Sequence, residues 1–207
     1  MPRRVGILGG TFNPPHVGHL VMAQEARDQL GLDEVVLVPV ALPPHKQAEG
    51  DPGPEVRLAL ARLAADGEEG LCVSRAEVDR GGASYTVDTL GELHERYPEQ
   101  ELTFIVGGDM AHSLPAWREP ARVLELARLA VAERQGIARA DIAARLAPLH
   151  DGSRVTFFDM PRIDVSSSDI RRRVAEGRPV RHLVPDAIAR AIADRNLYRT
   201  TAGRPAA

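Results

Sequence analysis

Two histidines three residues apart, His16 and His19, close the run Gly9-Gly10-Thr11-Phe12-Asn13-Pro14-Pro15-His16-Val17-Gly18-His19-Leu20. The run follows directly on the apolar segment Val5-Gly6-Ile7-Leu8. A buried strand is therefore expected to feed a glycine turn, a stiff proline pair and then the start of a helix. Each part suits a polyphosphate. Gly9 and Gly10 let backbone N–H groups approach an anion closely. Pro14 and Pro15 fix an extended stretch that delivers His16 to the helix start. His16 and His19 share one helix face, and Gly18 between them leaves room for a large anion, which the positive end of the helix dipole favours. A His-x-x-His pair is also half of a metal site, but the only cysteine is Cys72 and no third ligand lies nearby in the chain. The pattern matches neither the dinucleotide fingerprint G-x-G-x-x-G nor a P-loop, which needs a following Gly-Lys-Ser/Thr.

A second element stands near the other end of the chain, Ser166-Ser167-Ser168-Asp169-Ile170-Arg171. Three serines can simply start a helix, since hydroxyl residues cap well. One cap suffices, however, and Arg171 returns to the same helix end as Ser168. Hydroxyls, free N–H groups and a guanidinium together make a second anion site.

The elements that must position these residues alternate. Short apolar runs at Val5–Leu8, Glu34–Pro39, Leu71–Ser74, Leu102–Val106, Arg128–Ala132 and Val155–Phe158 read as strands. Amphipathic stretches at Val17–Leu30 (stopped by Gly31), Pro54–Ala65, Thr86–Tyr97, Glu119–Leu126 and Ala138–Leu146 read as helices. Apolar strands with helical crossovers imply an α/β, Rossmann-like, doubly wound parallel sheet, with ligands at the carboxyl ends of the strands. The glycine turn, the Pro- and Gly-rich Val40–Gly53 loop and the Gly107-Gly108-Asp109 turn all fall at such ends and should converge on one crevice. After Met160 the alternation stops. Ser166–Glu176 and Pro185–Asn196 read as a small C-terminal helical extension, about 166–199 of a single domain spanning 1–199, with 200–207 as a flexible tail.

The 207 residues suffice for a full core. A net charge of −3 supplies no basic field for nucleic acid. One cysteine excludes a disulfide framework and suits a reducing cytoplasm. No apolar run reaches the ~18 residues of a membrane span, and no export signal leads the chain. Of 26 cations only Lys46 is a lysine, which suggests that a guanidinium does not fit at that place. A homo-oligomer is compatible with the sequence.

The first run resembles the T/HxGH signature of the nucleotidyltransferase superfamily, and the serine run is similar to its ISSTxIR motif, with Ser168 where threonine is usual. Gly81-Gly82-Ala83-Ser84-Tyr85-Thr86-Val87-Asp88-Thr89 resembles the SYTxxT segment of bacterial nicotinate-nucleotide adenylyltransferases. Pro43-Pro44-His45-Lys46, Gly107-Gly108-Asp109, Trp117 and the closing Leu197-Tyr198 fit the same family. One departure is Asn13, where that family usually has aspartate.

The resemblance implies adenylyl transfer from ATP to nicotinate mononucleotide, with Mg²⁺ held mainly by phosphates and water and no metal ligand from the protein. His16, His19, Lys46 and Arg171 would be catalytic. Gly9, Gly10, Thr11, Phe12, Gly18, Gly107, Asp109, Ser167 and Ser168, with His16, His19 and Arg171, would bind ATP. Gly9, Thr11, Lys46, Ser84, Tyr85, Thr86, Asp109 and Trp117 would bind the nicotinate nucleotide, with a core-anchor role the alternative for Trp117. Phosphopantetheine adenylyltransferase shares the His-x-Gly-His logic but is typically shorter and lacks the SYTxxT segment. A class I aminoacyl-tRNA synthetase fragment would need a basic, RNA-binding surface. A non-catalytic Rossmann protein is the alternative outside the enzymes, and it leaves the two anion sites unexplained.

Overall fold

The computed structural model describes residues 2–43, 50–133, 137–150 and 152–199; Lys46 and the 200–207 tail lie outside them. Six strands, β1 Arg3–Gly10, β2 Glu34–Pro39, β3 Leu71–Val73, β4 Gln100–Gly107, β5 Arg128–Glu133 and β6 Val155–Asp159, form one sheet in the order β3-β2-β1-β4-β5-β6. Every pairing is parallel. This is the doubly wound α/β architecture, and its strand order reverses between β1 and β4.

Alternate residues of the central strands feed opposite faces. Val5 and Ile7 of β1 join Phe104 and Val106 of β4 in the core on one face, where α4 (Thr86–Arg96) and α6 (Pro120–Leu126) pack. Leu8 and Ile105 face the other way, against Met22, Ala23 and Ala26 of α1 (Val17–Leu30). Gly6 has a packing reason: a Cβ there would meet Ile105 Cδ1 at 2.8 Å and Leu32 Cδ1 at 2.9 Å. Gly31 ends α1 with φ +60°, its N–H on the Asp28 carbonyl while Leu32 N–H reaches Arg27.

A third apolar cluster joins α2 (Pro54–Ala65) to α8 (Ser167–Ala175) and α9 (Asp186–Asp194) through Leu60, Ala64, Ile170, Ile188 and Ile192. The C-terminal helices are thereby pressed toward the carboxyl end of β1. Short α3 (Ala76–Arg80) and α5 (Gly108–Ser113), and the 3₁₀ turn Leu114–Ala116, have no counterpart in the sequence reading. Five or six residues are too few for a helical period to show. The Gly107-Gly108-Asp109 turn is thus the entry of α5. The remaining helix, α7, spans Arg139–Leu146. Among the described residues no helix is long and apolar enough to cross a membrane.

Candidate functional site

The carboxyl ends of β2, β1 and β4 lie side by side, with Gly10 opposite Pro39. The three predicted loops therefore do leave the sheet at one place. His16 is the N-cap of α1, with extended backbone at φ −142°, and is 9% exposed. Its N–H donates to Nδ1 of His19 at 3.2 Å. An Nδ1 that accepts is unprotonated, so this bond puts the ring proton of neutral His19 on Nε2 and makes that nitrogen a donor. The two imidazoles lie 3.8 Å apart, and the Phe12 ring meets His19 edge-on at 5.0 Å. Gly18 has a packing role beside the histidines. A Cβ at that position would meet Cε1 and Nδ1 of His16 at 3.1 Å. The glycine thus leaves room for the His16 ring.

The two sequence motifs touch. Ser166 alone caps α8, accepting from Asp169 N–H at 3.1 Å. Ser167 Oγ donates to the Pro14 carbonyl at 2.8 Å. Arg171 places Nη1 on the Asn13 carbonyl at 2.8 Å and Nη2 on Ser168 Oγ at 3.2 Å. The three serines thus have three different tasks, and α8 is fastened to the turn that carries the histidines. The Asn13–Pro14 peptide in that turn is cis. Asn13 itself is buried, and its amide nitrogen and oxygen meet no hydrogen-bond partner among the described residues.

Arg57, which the sequence reading did not single out, lies under the same turn with no exposed surface. It donates to the Thr11 carbonyl at 3.1 Å, to the Ala41 carbonyl at 2.9 Å, to the Val40 carbonyl and to Asp51 Oδ1 at 3.0 Å. A buried guanidinium survives because its donors all find acceptors; truncating one such partner typically costs about 3–5 kcal/mol. Tyr198 is close enough to feel the charges of Arg171, Asp51 and Arg57, and burial pushes its phenol above the usual range. Its hydroxyl is buried without a partner among the described residues.

The SYTxxT side is built differently. Gly81 and Gly82, at φ +69° and +70°, turn the chain out of α3. Ser84 then pairs with the loop after β2: its N–H donates to the Leu42 carbonyl and its Oγ accepts from Ala41 N–H, both at 3.0 Å. This brings the root of the Lys46 loop beside Tyr85, the N-cap of α4, and Thr86, its first residue. Glu77, buried on α3, accepts from Thr89 Oγ1 at 2.7 Å and braces the same helix. The Arg118 guanidinium sits 4.8 Å over the Tyr85 ring. Trp117 meets Phe104 edge-on at 6.1 Å and donates Nε1–H to Ser113 Oγ at 3.1 Å. The indole is both anchored on the core and half-buried. Asp109 is exposed in the first turn of α5.

Three comparisons with known proteins bear on this arrangement. The sequence profile of the family described as cytidylyltransferase-like matches residues 7–173. A probable nicotinate-nucleotide adenylyltransferase of Thermomicrobium roseum is 44% identical over 199 residues, 95% of this chain and 92% of its own. One of Exiguobacterium sibiricum is 42% identical over 197 residues, covering 95% and 100%. Among solved structures, the Plasmodium falciparum nicotinic acid mononucleotide adenylyltransferase complexed with NaAD superposes with a TM-score of 0.79 at 16% identity, covering 95% of this chain and 97% of that one. That last likeness speaks for the fold alone.

Proposed function

The chain belongs to the nicotinate-nucleotide adenylyltransferases of the cytidylyltransferase-like family, and on that premise we propose how its residues carry the reaction. The adenylyl group of ATP passes to nicotinate mononucleotide, giving nicotinate adenine dinucleotide and pyrophosphate, a step of NAD biosynthesis. The observation that carries the residue assignment is the fastening of α8 to the histidine turn by Ser167 and Arg171. It gathers imidazole, hydroxyl and guanidinium groups at the carboxyl ends of β1 and β4, where doubly wound sheets bind ligands.

In the reaction a phosphate oxygen of nicotinate mononucleotide forms a bond to the α-phosphorus of ATP, and the bond to the bridging oxygen of pyrophosphate breaks. The attacking phosphate is already anionic, so no general base is required. Catalysis then rests on alignment and on stabilising the charge that develops. His19 Nε2–H donates to the bridging oxygen, and His16 holds His19 in that tautomer while facing the same triphosphate. Gly9, Gly10, Thr11, Phe12 and Gly18 shape the turn around the nucleotide, and Gly107 and Asp109 line its other side. Ser168 and Arg171 take the outer phosphates with Ser167 behind them, and Lys46, which follows β2 in the sequence, adds an ammonium charge. On the acceptor side, Trp117 stacks on the pyridine ring. Backbone N–H groups at Tyr85 and Thr86 receive its carboxylate, with Ser84 holding that segment.

The donors at the crevice suit phosphate oxygens, so Mg²⁺ would arrive on those oxygens and on water. Among the described residues no group of three His, Cys, Asp or Glu is placed to hold an ion, and hard Mg²⁺ prefers oxygen ligands of that mobile kind. When bound, it neutralises phosphate charge. A cytoplasmic location belongs to the same proposal, supported by the single cysteine.

The test is pyrophosphate release from ATP and Mg²⁺ with nicotinate mononucleotide, nicotinamide mononucleotide or phosphopantetheine as acceptor. Release with the nicotinate acceptor, and kcat/KM far above that for the amide, is expected, because an amide N–H₂ facing buried donors leaves polar groups mispaired. Equal values for acid and amide would remove the Tyr85-Thr86 assignment. Release with phosphopantetheine alone would replace the acceptor.

A further inference from the structure

Arg57 lies outside every motif that carries the proposed chemistry, yet its guanidinium reaches both sides of it. We propose, resting on the adenylyl-transfer reading above, that Arg57 is a positioning residue for that reaction. Together with Arg171 it grips the backbone on either side of Phe12, and so sets the ring against which His19 is held.

The geometry of the grip is specific. Arg57 Nη1 takes the carbonyl of Thr11 and Arg171 Nη1 takes the carbonyl of Asn13. Between them Phe12 has φ +49°, a left-handed backbone that a bulky residue seldom adopts unaided. Such a conformation persists where its surroundings over-determine it, and here the two holds come from separate helices, α2 and α8. The Phe12 ring is 1% exposed and lies close over Gly10, where a Cβ would meet it at 3.1 Å. So packed, its ring lies 5.0 Å from that of His19 at an interplanar angle of 67°, and the His16 ring lies 3.8 Å from His19.

The other donors of Arg57 hold Val40, Ala41 and Asp51, which flank the segment bearing Lys46. One side chain therefore ties the histidine turn to the roots of the lysine loop. A lysine would keep the charge, but its compact ammonium cannot span acceptors spread around a planar fork.

The test compares Arg57→Lys with Leu93→Ala, a core truncation in the last turn of α4, far along that helix from Tyr85. Both variants are assayed well below their melting temperatures. The folded fraction comes from circular dichroism, and kcat and KM are measured separately for ATP and nicotinate mononucleotide. Positioning predicts that Arg57→Lys loses about 10–100-fold in kcat per folded molecule, with KM for ATP nearly unchanged. Leu93→Ala should lose stability while keeping kcat. Parallel losses in the two variants, or wild-type kcat in Arg57→Lys, overturn the proposal. If Arg57→Lys does not fold, Asp51→Asn takes its place: a several-fold fall in kcat supports the proposal and an unchanged kcat overturns it.

A readout without substrate separates this claim from the reaction itself. Histidine ring ¹H–¹⁵N spectra should show His19 signals displaced in Arg57→Lys, or in Asp51→Asn, and unmoved in Leu93→Ala. Undisplaced His19 signals overturn the positioning role whatever the enzyme catalyses. Displaced signals in a protein that releases no pyrophosphate even as wild type place the failure in the reaction assignment instead.

Discussion

The two halves of the crevice are built by opposite means. Around the histidines, backbone carbonyls of Thr11, Asn13 and Pro14 are captured from a distance by buried or half-buried side chains of α2 and α8. Around Tyr85 and Trp117, the polar and cationic partners of the rings are exposed or half-exposed: Arg118 on the Tyr85 ring and on Asp88 at 3.3 Å, Ser113 on the indole. The first half is held by the protein's own hydrogen bonds. The second can adjust, since surface ion pairs of this kind contribute only about 0–1 kcal/mol. The difference suits a reaction whose leaving group must meet fixed donors while its acceptor ring only has to be held flat.

The contrast breaks most visibly at His19. On the proposed mechanism His19→Ala removes a donor whose value rises as the bond to pyrophosphate opens, and loss of one such donor typically lowers turnover by about 10²–10³. Stopped-flow or coupled pyrophosphate assays should show that loss in kcat with a smaller change in KM for ATP. A variant keeping a third of wild-type kcat would mean that the fixed half is not where the chemistry is helped. Trp117→Ala sharpens the other side. Stacking of an aromatic pair contributes about 0.5–1.5 kcal/mol, so KM for nicotinate mononucleotide should rise about three- to tenfold with kcat nearly held. A fall in kcat that outweighs the rise in KM would make the acceptor half as preorganised as its neighbour. Tyr198→Phe has the smallest expected effect. It deletes a buried hydroxyl that meets no partner among the described residues, so kcat should stay at the wild-type value and the melting temperature should hold or rise. A loss of either would show that the phenol takes part in the network around Arg57 and Arg171.

Legibility in the sequence followed the range of the interaction. α1, β2 and α2 begin and end at Val17–Leu30, Glu34–Pro39 and Pro54–Ala65, where apolar period, proline and glycine mark them. The pairing of Ser168 with Arg171 is a one-turn neighbourhood and could be read directly. Arg57 could not. In a chain whose cations are nearly all arginine, one more on a helix carries no local signal, and its burial depends on Thr11, Val40 and Ala41 folding over it. The packing of Gly18 against the His16 ring was likewise out of reach, because it depends on the His16 rotamer. Glu77, buried against Thr89, was hidden for the same reason as Arg57.

The clasp of α8 on the proline turn also has a meaning in time. Ser167 and Pro14 stand 153 positions apart along the chain, and Arg171 and Asn13 stand 158 apart. At about 5–20 residues per second of synthesis, roughly 8–30 s separate the emergence of the histidines from that of the side chains that fasten their turn. Strands β1 to β5 can pair during that interval, but the nascent chain lacks the side chains that fasten the proline turn. On the proposed reading, competence to react arrives with one of the last helices to be made, and a chain released early would carry most of the sheet without the clasp on the histidine turn.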